Sequence, residues 1–371
     1  MIGRQKLGST RIAAGCAALA LGSAAQAGGL DRTGQNLSAL FSQGNVISID
    51  VHRARPDIEG RDALGRSTGQ VADAYTQWGF AYKQDLNPQT SMLIMLTHPF
   101  GLDIGYDRHQ SPLLGGTEAR VNTHELLGAL RYRWNEQWGV HGGLRMQRSE
   151  GKVGFGGRIF GGASGYHVDF RPSTEPGYLL GLSYERPDIA LRIAGTYYSA
   201  IHHKMSTLEN VLPMTTTTSS TSPQSFNLDA QVAIASNTLL FGQIRWTQWS
   251  KFRLSPLVFA SQTGGGSLAD LEDTTTYSLG LGQKLSSQWT GFAAVSYDRK
   301  NHTNALSALR PTNGRTGYML GVNYQGQDFK LTPWISYQCL GAADISIANR
   351  TIARFGDSAV KVFGVTLDYA F

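Results

Sequence analysis

Cysteine is nearly absent from this chain, with two among 371 residues. Cys16 falls in the leader described below, so Cys339 stands alone and no intrachain disulfide can form. Long apolar runs are missing as well. Past residue 27 no stretch approaches the roughly 20 apolar residues that a membrane-spanning helix needs. Nor is there a strong charge of one sign. The formal charge of +6 falls to +3 once the leader cations Arg4, Lys6 and Arg11 are removed. That remainder is scattered, which argues against nucleic acid as a partner.

Catalytic signatures are lacking too. The nine histidines include one adjacent pair, His202-His203, and none has the H-E-x-x-H spacing of a metal site. There is no G-x-S-x-G elbow, and Gly154-Phe155-Gly156-Gly157 has neither the Lys nor the helix of a phosphate cradle. No enzyme activity, metal or cofactor is expected.

The start of the chain has a recognisable purpose. The three cations precede an apolar run from Ile12 to Ala25, which ends in the small-x-small site Ala25-Gln26-Ala27. Residues 1–27 read as a secretory signal peptide cleaved after Ala27.

From Val46 to Phe371 apolar and polar residues alternate in short segments, joined in turn by short and long connections. In the last segment Phe371, Tyr369, Leu367, Val365 and Phe363 share one face, and Ala370, Asp368, Thr366 and Gly364 the other. Fourteen such strands are expected near 46–54, 73–83, 90–98, 121–134, 137–148, 176–186, 188–200, 224–235, 238–250, 274–285, 288–299, 315–325, 328–340 and 358–371. A bilayer admits strands only in a closed barrel, because an open edge leaves backbone groups unsatisfied in lipid. The fold class is therefore all-β, a 14-stranded antiparallel transmembrane barrel over residues 46–371. An even strand number puts both barrel ends at the short-turn, periplasmic side.

Outward sets such as Tyr178, Leu180, Leu182 and Tyr184 place aromatics at the ends and aliphatics between, as in an interfacial girdle. Inward faces carry Arg131, Arg133, His141, Arg145, Glu185, Arg192, Asp229, Gln231, Arg245, Asp298 and Lys330. These groups either pair with one another to fill the lumen or meet an anionic head group. Residues 28–45, GGLDRTGQNLSALFSQGN, lack strand alternation and suit a plug inside the barrel. In the connection from Ile201 to Pro223, Ile201, Met205, Leu208 and Leu212 recur at helical spacing and predict a short amphipathic helix.

Several stretches resemble the FadL family of long-chain fatty-acid and hydrocarbon outer-membrane transporters. They are GGLDRTGQNLSALFSQGN, ISIDVHRARPDIEG, HPFGLDIGY at 98–106, LLGGTEARVNTHELLGALRYRW and GLSYERPDIALRIAGTYYSAI. The Asn-Pro-Ala triplet usual at the hatch of better-known members is absent, with SALFSQGN in its place. The resemblance implies a barrel closed by an N-terminal hatch, here carrying Asp31, Gln35, Leu40 and Phe41. It implies capture in an apolar loop groove, mapped onto Phe155, Ile159 and Phe160 and onto Leu208, Val211 and Leu212. It further implies binding above the hatch, with head-group contacts expected from Arg131, Arg145, Arg192 and Arg245, and sideways release at Pro99, Phe100 and Gly101 near the third strand.

The expected partners are a fatty acid or hydrocarbon, the lipids and lipopolysaccharide of a Gram-negative outer membrane, and the barrel-insertion machinery that reads a terminal aromatic, here Phe371. A monomer is expected. An open porin for small hydrophilic solutes is the alternative, and an adhesive or structural barrel a third.

Overall fold

The computed structural model describes residues 30–300, 305–347, 350–356 and 358–371, and the expected signal peptide lies outside them. In chain order the strands are β1 (Val46–Asp57), β2 (Glu59–Asp62), β3 (Ser67–Gln70), β4 (Tyr75–Asp85), β5 (Thr90–Thr97), β6 (Gly101–Gly105), β7 (Glu118–Arg133) and β8 (Trp138–Gly154). Then come β9 (His167–Arg186), β10 (Leu191–Tyr198), β11 (Ile201–Glu209), β12 (Thr215–Ser222), β13 (Ser225–Ala235), β14 (Thr238–Thr247), β15 (Thr274–Lys284) and β16 (Trp289–Asp298). The last are β17 (Ala305–Leu306), β18 (Arg315–Gln325), β19 (Phe329–Leu340), β20 (Ala343–Ile347), β21 (Arg350–Phe355) and β22 (Ser358–Ala370).

The barrel runs β1, β4, β5 with β6, β7, β8, β9, β10, β13, β14, β15, β16, β18, β19, β22. β22 pairs back with β1 from Val46↔Ala370 to Asp57↔Ala359, which closes it. β5 and β6 share the third place, since both pair with β7, so the described barrel has the fourteen strands expected.

Exposure follows the alternation. Leu126, Leu130, Leu144, Leu180, Leu182, Leu279 and Leu320 all face outward and are exposed, as an apolar band in lipid requires. Inward, Trp334, Phe241 and Phe292 are buried, and each lies over a glycine directly opposite in the next strand: Gly364, Gly280 and Gly321. A Cβ at any of these glycines would collide with the ring, so the missing side chain makes room for the aromatic.

The long-loop end departs from the sequence reading in two ways. The segment 201–223 is a hairpin of β11 and β12, not an amphipathic helix. Ile201, His203, Met205, Thr207 and Glu209 are buried while His202, Lys204, Ser206 and Leu208 are exposed. The apolar spacing was real, but the buried face mixes polar residues into a two-residue period, and the Thr-rich β12 favours a strand. Likewise β8 and β9 run well beyond the expected ends, so the 149–175 connection shrinks to residues 155–166. A second sheet, β17-β20-β21-β2-β3, is built from the connections at this end. Its Ile345, Ile352, Ala353 and Phe355 pack with Ile104, Tyr106 and Leu114 over one side of the mouth.

Candidate functional site

Residues 30–45 run inside the barrel, where their polar groups meet inward-facing side chains. Asp31 and the Arg245 guanidinium are both fully buried and lie 2.7 Å apart. Arg245 also donates to Asn227 Oδ1 and to Gln35 Oε1 at 2.8 and 3.1 Å. Asn227 in turn donates to the Gly34 carbonyl at 2.9 Å, and the Tyr198 hydroxyl donates to the Gln35 carbonyl at 2.5 Å. Gln35 adopts a positive φ of 47°, a strained backbone for a non-glycine residue that this ring of bonds holds in place. Further along, Leu37, Ala39 and Leu40 pack on Ala81, Leu93, Leu127 and Leu179 of the wall. Phe41 sits between two cations, Arg131 at 4.8 Å and Arg192 at 4.7 Å from its ring centre.

The third barrel strand is broken where the sequence has His98-Pro99-Phe100. Between the pairs Thr97↔Glu125 and Gly101↔Asn122, three residues of the third strand face two of β7, a one-residue bulge. Proline has no N–H to give the ladder, and Phe100 turns into the lumen against Trp249, ring centres 5.1 Å apart. Thr123 satisfies the freed backbone, accepting from the Phe100 N–H at 2.9 Å and donating to its carbonyl at 2.8 Å.

The N-terminal segment bonds directly to this break. The Arg32 N–H donates to the Pro99 carbonyl and the Gly101 N–H to the Leu30 carbonyl, both at 2.8 Å. Arg32 then lies flat against Gly101, where any Cβ would strike its guanidinium, and 4.5 Å from the Tyr75 ring centre.

The break also opens the wall on its other side. β4 pairs with β1 as far as Tyr75, but its ladder with β5 stops at Phe80↔Leu96, leaving Tyr75 to Gly79 without a backbone partner there. A cavity of about 790 Å³, its open mouth included, abuts the gap and is lined by Gln77, Trp78, Gly79, Phe80, Met95 and Thr97.

A larger cavity of about 1270 Å³, mouth included, lies above Leu30 and Arg32. Its walls are mostly apolar, with Ile58, Leu102, Val121, Val153, Phe252 and Leu254 among them. Its charged lining comprises three cations, Arg32, Arg310 and Arg315, and four carboxylates, Asp73, Asp103, Asp270 and Asp298. Arg315 is paired with Asp298 at 2.9 Å, and Arg32 stacks on Tyr75. Burial pulls the Arg310 guanidinium below its ordinary pKa, with Glu272 acting the other way.

Outside this cavity an aromatic cluster joins two loops, 155–166 and 248–273. Phe155 stacks on Phe160 at 4.6 Å and lies 5.8 and 5.9 Å from Tyr166 and Phe259. The buried Glu209 carboxylate accepts from the Tyr166 hydroxyl at 2.8 Å and from the Val258 N–H at 3.0 Å, so it ties the β11 hairpin to the short helix Leu257–Gln262. Burial raises the Tyr166 hydroxyl pKa, and the neighbouring Glu209 charge adds to the rise.

Residues 39–371 match the family model described as outer membrane protein transport protein (OMPP1/FadL/TodX). The chain belongs to this family. Among solved structures it is similar to a Pseudomonas aeruginosa FadL homologue, with 19% identity, 95% of this chain and 98% of that one covered, and a TM-score of 0.73. It is also similar to the Pseudomonas putida toluene transporter TodX, at 13% identity, 90% and 92% coverage and a TM-score of 0.66. The Ralstonia pickettii toluene transporter TbuX follows at 14% identity, 89% and 90% coverage and 0.61. At these identities the likeness is one of fold. No curated protein matches the chain.

For this OMPP1/FadL/TodX member the expected site residues divide clearly. Asp31, Gln35, Leu40 and Phe41 all meet the inner wall, and Pro99, Phe100 and Gly101 all lie at the break. The four arginines expected at a head group do not line the large cavity. Arg131 pairs with Glu185 at 2.9 Å, Arg145 with Glu125 at 2.7 Å and Arg245 with Asp31, while Arg192 holds Phe41.

The two halves of the expected groove do not meet. Phe155 packs with Met205, Phe259 and Leu268, and Ile159 and Phe160 reach toward the second sheet. Leu208 and Val211 are exposed, with Leu208 on the opposite side of β11 from Met205, and Leu212 is half-buried beside them. The sequence placed Arg32 in the plug segment without a site role, and gave none to Glu125, Tyr198, Phe252 and Phe259. Glu125 shares its parity with Arg131 on β7, a signal that was there to use. Phe252 and Phe259 sit in a connection whose fold no strand period announces.

Proposed function

We propose that this family member carries hydrophobic molecules, long-chain fatty acids first among them, passively across the outer membrane. The observation that carries this reading is an apolar cavity whose floor, Leu30 and Arg32, is hydrogen-bonded to the break in the third strand beside a gap in the wall. A porin for hydrophilic solutes has no use for such walls, and residues 30–45 obstruct its path.

In this reading the ligand is caught at the aromatic cluster around Phe155 and Phe259 and passes inward along Phe252 and Leu254. Its polar end meets Arg32, the one cavity cation borne by the N-terminal segment. That contact competes with the Tyr75 stack and loosens the Leu30 to Arg32 bonds at Pro99 and Gly101. The ligand then leaves between β4 and the third strand into the bilayer. Arg131, Arg145, Arg192 and Arg245 serve this cycle by holding the hatch and the inner wall, not by reading the ligand.

The solved relatives TodX and TbuX are toluene transporters, so a neutral aromatic hydrocarbon is the competing ligand. The test is uptake of labelled long-chain fatty acid and of labelled toluene by Gram-negative cells lacking their own transporter, with and without this protein. Restored fatty-acid uptake supports the reading. Uptake of toluene alone moves the ligand to the hydrocarbon class, and uptake of neither, with folded protein at the surface, overturns it.

A further inference from the structure

We infer that His98 is a side-chain latch across the wall gap between β4 and the third strand, and so sets the rate of lateral release. The inference rests on the exit assigned to that gap above. The register between β4 and β5, fixed by pairs such as Phe80↔Leu96, places Trp78 opposite His98 when carried on two residues. No backbone ladder forms at that position. Instead the His98 imidazole bonds through Nδ1 to the Trp78 carbonyl at 3.0 Å, standing where a strand N–H would stand. A second contact from β4 is weaker: the Gln77 side-chain amide donates to the His98 carbonyl at 3.4 Å.

The imidazole is also held between two rings. Trp78 lies 5.1 Å away on β4, edge-on, and His124 lies 4.6 Å away on β7. His98 thus links the two sides of the gap through one hydrogen bond and edge-to-face ring contacts. A side-chain bond is easier to open than a ladder, because opening it needs one χ rotation and leaves every backbone pair of the barrel intact. Its location fits this use. It immediately precedes Pro99, whose carbonyl accepts the Arg32 N–H, so a shift of the N-terminal segment pulls on the residue beside the latch. His98 touches no ligand in this account and acts as a positioning residue.

The experiment uses the full mature protein in liposomes, with a fluorescent long-chain fatty-acid analogue as probe, and follows transfer of bound probe into the lipid. His98→Phe keeps a ring between Trp78 and His124 but removes the nitrogen, and His98→Ala removes both. Each should speed release roughly threefold to tenfold, the range set by losing one hydrogen bond. His98→Asn places an amide nitrogen near the position of Nδ1 and should restore the original rate.

A Gly79→Cys/Thr97→Cys pair in a Cys339→Ser background provides the control for the exit itself. These residues face each other in the continued register, so their disulfide seals the gap and a reductant reopens it. Slow release when sealed, with fast release from H98F and rescue by H98N, supports the latch. If the sealed and reduced forms release alike, the lateral exit falls, and the latch with it. If sealing slows release but H98F and H98A match the original protein, or H98N is as fast as H98F, the exit stands and the latch is overturned.

Discussion

Asp31 and Arg245 form an ion pair at 2.7 Å with neither side chain open to solvent, joining residues 214 apart in the chain. Removing one partner of such a pair strands a buried charge, at a cost of about 3–5 kcal/mol. Arg245→Ala should therefore free the N-terminal segment from β13 and β14 and raise ion conductance in planar bilayers. Asp31→Asn keeps the shape and should raise it less. Conductance unchanged in Arg245→Ala would mean that the remaining contacts hold the segment without this pair.

Phe41 carries the other anchor, between Arg131 and Arg192. Phe41→Ala removes two cation–π contacts of about 0.5–2 kcal/mol each. We expect a smaller conductance rise than for Arg245→Ala, and a larger one than either when residues 28–45 are deleted. A deletion that leaves conductance low would show that the lumen is blocked by other elements.

Substitution of Arg32 tests which ligand class the cavity takes. Arg32→Ala should weaken binding of a long-chain carboxylate about tenfold or more, the value of a charge-assisted hydrogen bond, and leave binding of an alkane of equal length nearly unchanged. Arg32→Lys keeps the charge but loses the flat stack on Tyr75, so it should fall between. Equal losses for both ligands, read by tryptophan fluorescence titration, would remove Arg32 from the head-group role.

Gly364 tests the wall itself. Trp334 covers it so closely that Gly364→Ala must push the indole aside, an overpacking of about 1–3 kcal/mol. The midpoint of denaturant unfolding in detergent should drop, while Gly105→Ala, which meets open space, should leave it in place. Equal midpoints would indicate that the ring moves freely.

The barrel was legible because lipid enforces one rule on every strand: each outward residue must be apolar, so the two-residue period survives in Tyr178, Leu180 and Leu182 without knowledge of any neighbour. Beyond the membrane that rule lapses. On β11 the buried face carries His203, Thr207 and Glu209 because each finds a polar partner: Gln147 and Tyr166 from distant segments, and Thr218 from β12 across the hairpin. A window of sequence cannot show those partners, and the apolar spacing that remained looked helical. The luminal arginines left two readings open for a related reason. Their type pointed to an anion, and the anions are carboxylates of the chain itself, Glu185, Glu125 and Asp31. The break at Pro99 needed no partner to be seen, since proline alone ends a ladder.

The seam between β1 and β22 has a bearing on how the molecule comes to be made. The Phe371 N–H donates to the Asn45 carbonyl at 3.2 Å, just where the luminal segment ends and the first strand begins. That segment takes its partners from β7, β10, β13 and β14, so most of the wall must exist before it is fully held. Contacts of such long sequence separation form late and slowly. The segment is therefore not fully held until the strands that carry these partners, spread from β7 to β14, stand in place.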